Sequence, residues 1–181
     1  MLTYAVEPWA LFAKEAEEAG LWRLHWQEIA QDADIPLVPD HATYSALDQA
    51  GQLHVVTART PDGTLAGYWV GIIRPHLHYA TTLHALTDVY WLVPDQRRGI
   101  AGYLLFKAVE MTLRKRGVVK VITATKIYQD VSQLFARLGY RETERVFTKR
   151  LEAPDATDPV WMPVPAGQKE DPWLSPLPPP P

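Results

Sequence analysis

Six consecutive residues, Gln96-Arg97-Arg98-Gly99-Ile100-Ala101, have the types and spacing of an anion site. They follow an apolar run over 86–93 that Pro94 stops, and they open into an amphipathic stretch that reads as a helix. The first N–H groups of a helix have no intrahelical partner, and the helix dipole adds partial positive charge there. Such amides hold a phosphate if the main chain can come close, which the small residues Gly99 and Ala101 allow. Arg97 and Arg98 add longer-range attraction. Upstream on the same run, Asp88 is a carboxylate on what reads as a central strand. It is either a proton acceptor or a partner in a structural hydrogen bond, and regular alternation gives it the face of Tyr90 and Leu92. His76, His78 and His84 border this region, and histidine is a residue type suited to act as a base. Their spacing matches no metal-ligand pattern, so no metal site is expected.

The elements that must position these residues follow from the periodicity. Residues 86–93 read as a strand. Leu104, Leu105, Ala108, Val109 and Leu113 give the next segment a broad apolar face, and Lys107, Glu110 and Arg114 form a narrow polar stripe. Gly117 stands where a helix ends. Residues 118–125 are largely β-branched and read as a buried strand. Upstream, 2–6 reads as a strand and 8–19, 21–31 and 42–50 as helices. Residues 53–60 and 64–73 read as a hairpin around Pro61-Asp62-Gly63, and 74–83 as a loop. Downstream, Asp130 with Gln133 has the pattern of a capping box opening a helix to Leu138. Two last strands are expected at 140–144 and 145–151.

The chain has 181 residues, a net charge of -3 and no cysteine. Its length suits one domain with a substantial core. The balance of charge gives no basic surface for nucleic acid. Lack of cysteine excludes disulfides, thiolate metal sites and a cysteine-linked intermediate, and is compatible with a reducing cytoplasm, the expected location. The N-terminus lacks a signal-peptide pattern, and no apolar run approaches the roughly twenty residues that cross a bilayer. Composition changes at Ala153: ten of the last twenty-nine residues are proline, among them Trp161 and Trp173. That favours polyproline II or disorder. The organisation expected is a domain over 1–152 and a proline-rich tail over 153–181 that docks on the domain, on a partner or on a second copy.

The order of elements, with three motifs, resembles the GNAT family of acyl-CoA-dependent N-acyltransferases. The motifs are Asp62-Gly63-Thr64-Leu65-Ala66-Gly67-Tyr68 at the hairpin, Val93-Pro94 with Gln96–Ala101 at the anion turn, and Leu134-Phe135-Ala136-Arg137-Leu138-Gly139-Tyr140. The resemblance spans about residues 2–151 and implies an α/β (α+β) fold with a mixed, mostly antiparallel sheet flanked by helices. It also implies acetyl-CoA as co-substrate and an amine of a small molecule or protein as acceptor. Backbone amides of Arg97, Arg98, Gly99, Ile100, Ala101 and Gly102, introduced by Gln96, would hold the CoA diphosphate. Leu92 and Val93 would pair with the pantetheine amides as an added strand does. The strand over 118–125 would splay from its neighbour, and Phe135 and Arg137 would lie near the distal cofactor.

The resemblance departs at one position. The family often carries a tyrosine directly after the leucine matched by Leu134, to protonate the leaving thiolate. Here Phe135 has no proton to give, and Tyr128 is the substitute expected. Asp88 and His84 are the candidate bases. Trp22, Trp26 and Tyr44 fall in helices that usually wall the acceptor pocket, and read either as core packing or as walls for an apolar acceptor. A second function class stays open: a non-catalytic interaction or structural protein of this fold. Short GNAT-like proteins also occur in tailed bacteriophages, where an assembly role would use the tail.

Overall fold

A computed structural model describes residues 1–151. Five strands lie side by side in chain order: β1 (Thr3–Val6), β2 (Leu53–Arg59), β3 (Leu65–His76), β4 (Tyr79–Leu92) and β5 (Val118–Ile122). The first four pair antiparallel, and β5 pairs parallel to β4. The parallel step needs a crossover, which α4 (Ala101–Lys115) supplies. The other helices are α1 (Trp9–Glu18), α2 (Leu21–Ile29), α3 (His41–Gln49) and the short α5 (Ser132–Arg137).

Each face of the sheet carries its own core. On one side Leu105, Phe106, Val109 and Leu113 of α4 pack on Val56, Ala58, Trp69, Ile73 and Ala85, with Phe135 of α5 among them. On the other, Trp9, Phe12, Ala13 and Ala16 of α1 and Leu21 of α2 pack on Leu53, Val55, Tyr68, Val70 and Trp91. Trp22 and Tyr44 join this second core: the Trp9 and Tyr44 rings stack at 4.1 Å, and Trp22 meets Phe12 edge-on at 5.3 Å. Arg59 holds the open end together by bonding both Glu7 and Glu15 at 2.7–2.8 Å.

Several expectations change. The segment over 74–83 is strand rather than loop: Arg74 pairs with His84 and Pro75 with Leu83, and the turn is only Leu77-His78. Pro75 stands beside a register shift in this ladder, where a proline is tolerated. β5 is an edge strand rather than a buried one. It pairs with β4 alone among the described residues, and Val119 is 66% exposed. The capping box does not form, because Asp130 accepts from the amide and hydroxyl of Ser132 instead. On α4 the polar pair is Lys107–Glu110, at 3.0 Å.

Residues Met1–Glu142 form one compact unit, and a second begins at Thr143, described as far as Leu151. The strands expected at 140–144 and 145–151 are absent. Residues 141–145 are polar at every position, so no buried face fixes a register there. Val146, Phe147 and Leu151 are exposed. The boundary at 152 and the proline-rich tail lie outside the described residues.

Candidate functional site

The turn that opens α4 has the backbone form expected from the sequence. A single 3-10 turn over Pro94–Gln96 leads into Gly99, whose φ of 70° is in the left-handed region. A side chain at Gly99 would meet nothing within 4 Å, so glycine is needed there for its backbone angle rather than for space. No side chain caps α4, and the first helical bond runs from the Leu104 N–H to the Ile100 carbonyl at 2.9 Å. The amides before Leu104 therefore have no intrahelical partner. The Tyr4 hydroxyl, on β1, donates to the Ala101 carbonyl at 3.0 Å and ties this turn to the sheet. Arg98 and Ile100 are exposed beside it.

β4 and β5 diverge next to this turn. Their ladder ends at Leu86↔Ile122, while β4 runs on to Leu92. The far half of β4 has lost its neighbour on that edge, which leaves a fork. Val93 cannot serve as an edge for an added strand. Its N–H donates to the Ala66 carbonyl at 2.8 Å, and its carbonyl accepts from Gln96 at 2.9 Å. Alternation then puts the main-chain groups of Tyr90 and Leu92 on the fork side. The Leu92 carbonyl already accepts from Nε of Arg97 at 2.8 Å.

A β-bulge stands in the same strand. Val70 pairs with Val89 and Gly71 with Thr87, so Asp88 is the extra residue. Across the bulge the set facing α4 changes from odd positions, Leu83 and Ala85, to even ones, Tyr90 and Leu92. Asp88 consequently does not share a face with Tyr90. Its Oδ2 accepts a hydrogen bond from the Tyr44 hydroxyl of α3, on the opposite side. Burial, then the hydrogen bond to Asp88, push the Tyr44 hydroxyl well above its usual range. Gly71 faces the bulge because no Cβ fits: it would lie 2.2 Å from the Trp69 ring and 2.8 Å from the Leu86 carbonyl.

The remaining sequence-predicted residues scatter. Arg97 is turned away from α4. Its guanidinium lies over the Trp91 ring, at 5.5 Å from the centroid, and grips both oxygens of Glu28 on α2 at 2.5 Å. Glu28 also accepts from the Trp91 indole at 2.8 Å. Arg97 chiefly, and the Trp91 indole, hold the Glu28 carboxyl below the usual carboxylate range. Tyr128 donates its hydroxyl to the Ile29 carbonyl, next along α2. His84 is buried against His76, ring centroids 4.9 Å apart, with Nε2 at 3.2 Å from the Thr82 hydroxyl. It stands four positions before Asp88, in the part of β4 zipped to β5. Phe135 is buried against Phe106 at 5.1 Å and Tyr90 at 5.9 Å, and Arg137 is exposed in the last turn of α5. Among the described residues no group of three acidic or histidine side chains could hold a metal.

Three site residues were not singled out from sequence for these roles. Glu28 lies more than sixty positions from both of its partners. Tyr44 meets Asp88 only because of the bulge. Tyr90 crosses the fork, its hydroxyl donating to the Ala124 carbonyl at 2.9 Å, while burial raises its pKa.

No protein-family model matches the chain, and no curated protein sequence does. Solved structures do. An aminoglycoside acetyltransferase from an uncultured soil metagenomic sample is 14% identical, with a TM-score of 0.64, over 84% of this chain and 99% of that one. A ribosomal-protein-alanine N-acetyltransferase from Brucella melitensis biovar Abortus 2308 is 16% identical, with a TM-score of 0.61, over 83% and 100%. AAC(6')-Iy, solved with the bisubstrate analogue CoA-S-monomethyl-acetylneamine, is 21% identical, with a TM-score of 0.60, over 84% and 99%. The fold is that of the GNAT acyltransferases. The coverage is nearly the whole of each neighbour. Among the described residues no helix is long and apolar enough to cross a membrane.

Proposed function

We propose that this chain is an acetyl-CoA-dependent N-acyltransferase that moves the acyl group directly to an amine. One observation carries the reading: the uncapped N-terminus of α4 opens beside the fork between β4 and β5. The residues suit an acyl-CoA. Unpaired amides and Arg98 offer a diphosphate site, and the main chain of Tyr90 with the Leu92 N–H offers a strand-like partner for an extended amide chain, the Leu92 carbonyl being taken by Arg97.

The chemistry asks for little else. The amine nitrogen attacks the thioester carbonyl, the C–N bond forms and the C–S bond breaks. Asp88, held by Tyr44, takes the amine proton. The thiolate needs a proton, and Tyr90 stands at the fork with its hydroxyl kept protonated by burial. It replaces the proton donor that Phe135 lacks, while Tyr128 is a tether to α2. Acceptors named for structural neighbours are an aminoglycoside, a ribosomal-protein alanine and glucosamine-6-phosphate. They support an amine acceptor, either a small molecule or a protein.

Calorimetry with millimolar acetyl-CoA tests the reading first; no detectable heat would end it. Given binding, Asp88→Asn should lower turnover on an amine substrate by about a hundredfold or more, with acetyl-CoA affinity unchanged. Binding without turnover on any amine, by the unaltered protein, favours the interaction-protein reading instead.

A further inference from the structure

The last turn of α2 is fastened to both banks of the fork. From the β4 side, Arg97 leaves the anion turn and grips both Glu28 oxygens, while the Trp91 indole adds a third bond to the same carboxylate. From the β5 side, the Tyr128 hydroxyl reaches the carbonyl of Ile29. The two attachment points are consecutive residues. α2 does not need them to reach the sheet, since Leu21 and His25 are already buried there, and His25 shares a 2.7 Å hydrogen bond with Tyr68. The Glu28 side chain is 20% exposed and the Arg97 side chain 36%, and the bidentate geometry makes the pairing directional.

We propose that Glu28 is a positioning residue and that the end of α2 is a clasp across the mouth of the fork. Through it, acyl-CoA held at the anion turn restrains α2. The inference rests on the acyl-CoA reading. Its physics is short. An anion on the free amides of Arg98 to Gly102 orders the turn that Arg97 springs from. Arg97 has a donor from each of its three guanidinium nitrogens committed, one to Leu92 and two to Glu28, so it transmits that order to α2. The coupling is reciprocal: whatever fixes α2 raises affinity at the turn by the same factor.

Hydrogen exchange on the full chain, with and without saturating acetyl-CoA, reads this directly. In the unaltered protein acetyl-CoA should slow exchange over 97–104, and over 21–29 by about fivefold. In Glu28→Gln the first effect should persist and the second vanish. Arg97→Lys, which keeps the charge and loses the fork, should do the same, and stands in if Glu28→Gln does not fold. An undiminished response of 21–29 in these variants overturns the inference, as does its absence from the unaltered protein when 97–104 is protected. Protection of neither segment overturns the acyl-CoA reading, and the clasp with it.

Discussion

The two ends of α4 make opposite use of the same helix. At the C-terminal end Thr112 and Arg116 are both hydrogen-bonded through their side chains. Arg116 donates to the carbonyls of Leu53 and Gly51 and, at 3.1 Å, to Nδ1 of His54. The other nitrogen of His54 meets the Thr112 hydroxyl at 2.8 Å, and that hydroxyl donates to the Ala108 carbonyl. At the N-terminal end nothing caps the helix. A cleft of about 460 Å³, lined in part by Glu7, Asp48, His54 and Arg116, lies at the C-terminal end. A site is better recognised by unmet hydrogen-bonding capacity than by concavity. The residues lining the cleft carry no buried side chain without a hydrogen-bond partner, whereas the first amides of α4 have no intrahelical partner.

Three substitutions or conditions sharpen that contrast. Arg116→Ala removes the keystone of the C-terminal end and leaves two carbonyls and Nδ1 of His54 without this donor. It should cost about 2–3 kcal/mol in urea unfolding, with acetyl-CoA affinity untouched; a loss of affinity would show that the two ends are not separate. A smaller effect comes from protons. Burial, then the Arg116 charge, lower the pKa of His54 to about 4. The unfolded chain binds that proton near pH 6.5 and the folded chain resists it. This part of the stability is complete above pH 6.5 and drains as pH falls toward 4. Between pH 7.5 and 5 the loss should be about 1–2 kcal/mol for this residue. His54→Gln should flatten that slope in urea melts; an unchanged slope refutes the assignment. The smallest effects should have opposite signs. Ile100→Asp gives the bare end a cap, so stability should rise by about 0.5–1 kcal/mol. Acetyl-CoA affinity should fall by about tenfold, because the new carboxylate occupies the amides and repels a diphosphate. If both rise together, the N-terminus is not the anion site.

How far the sequence could be read depended on distance along the chain. The anion turn was legible because all its determinants are local: Pro94 stops a strand, Gly99 takes a positive φ and an apolar face follows. The clasp was not, because Glu28 meets Arg97 and Trp91 through tertiary packing that no periodicity encodes. Asp88 was legible as a residue but not as a direction, since one inserted position reverses the face of everything after it. Val93 looked like a free strand edge until Ala66 and Gln96 were seen to claim both its main-chain groups. The final strands failed because the polar run 141–145 supplies β-like alternation to neither face.

The extra position at Asp88 gives β4 two independent phases. Upstream of it, odd-numbered side chains meet α4; downstream, even-numbered ones do. Shortening the strand by one residue at 87–88 would not merely delete a carboxylate. It would force one half to rotate by a half-turn, sending either Tyr90 and Leu92 or Leu83 and Ala85 to the wrong side. The bulge thus uncouples the facing of the fork from that of the hairpin behind it, and each half of β4 keeps its own alternation.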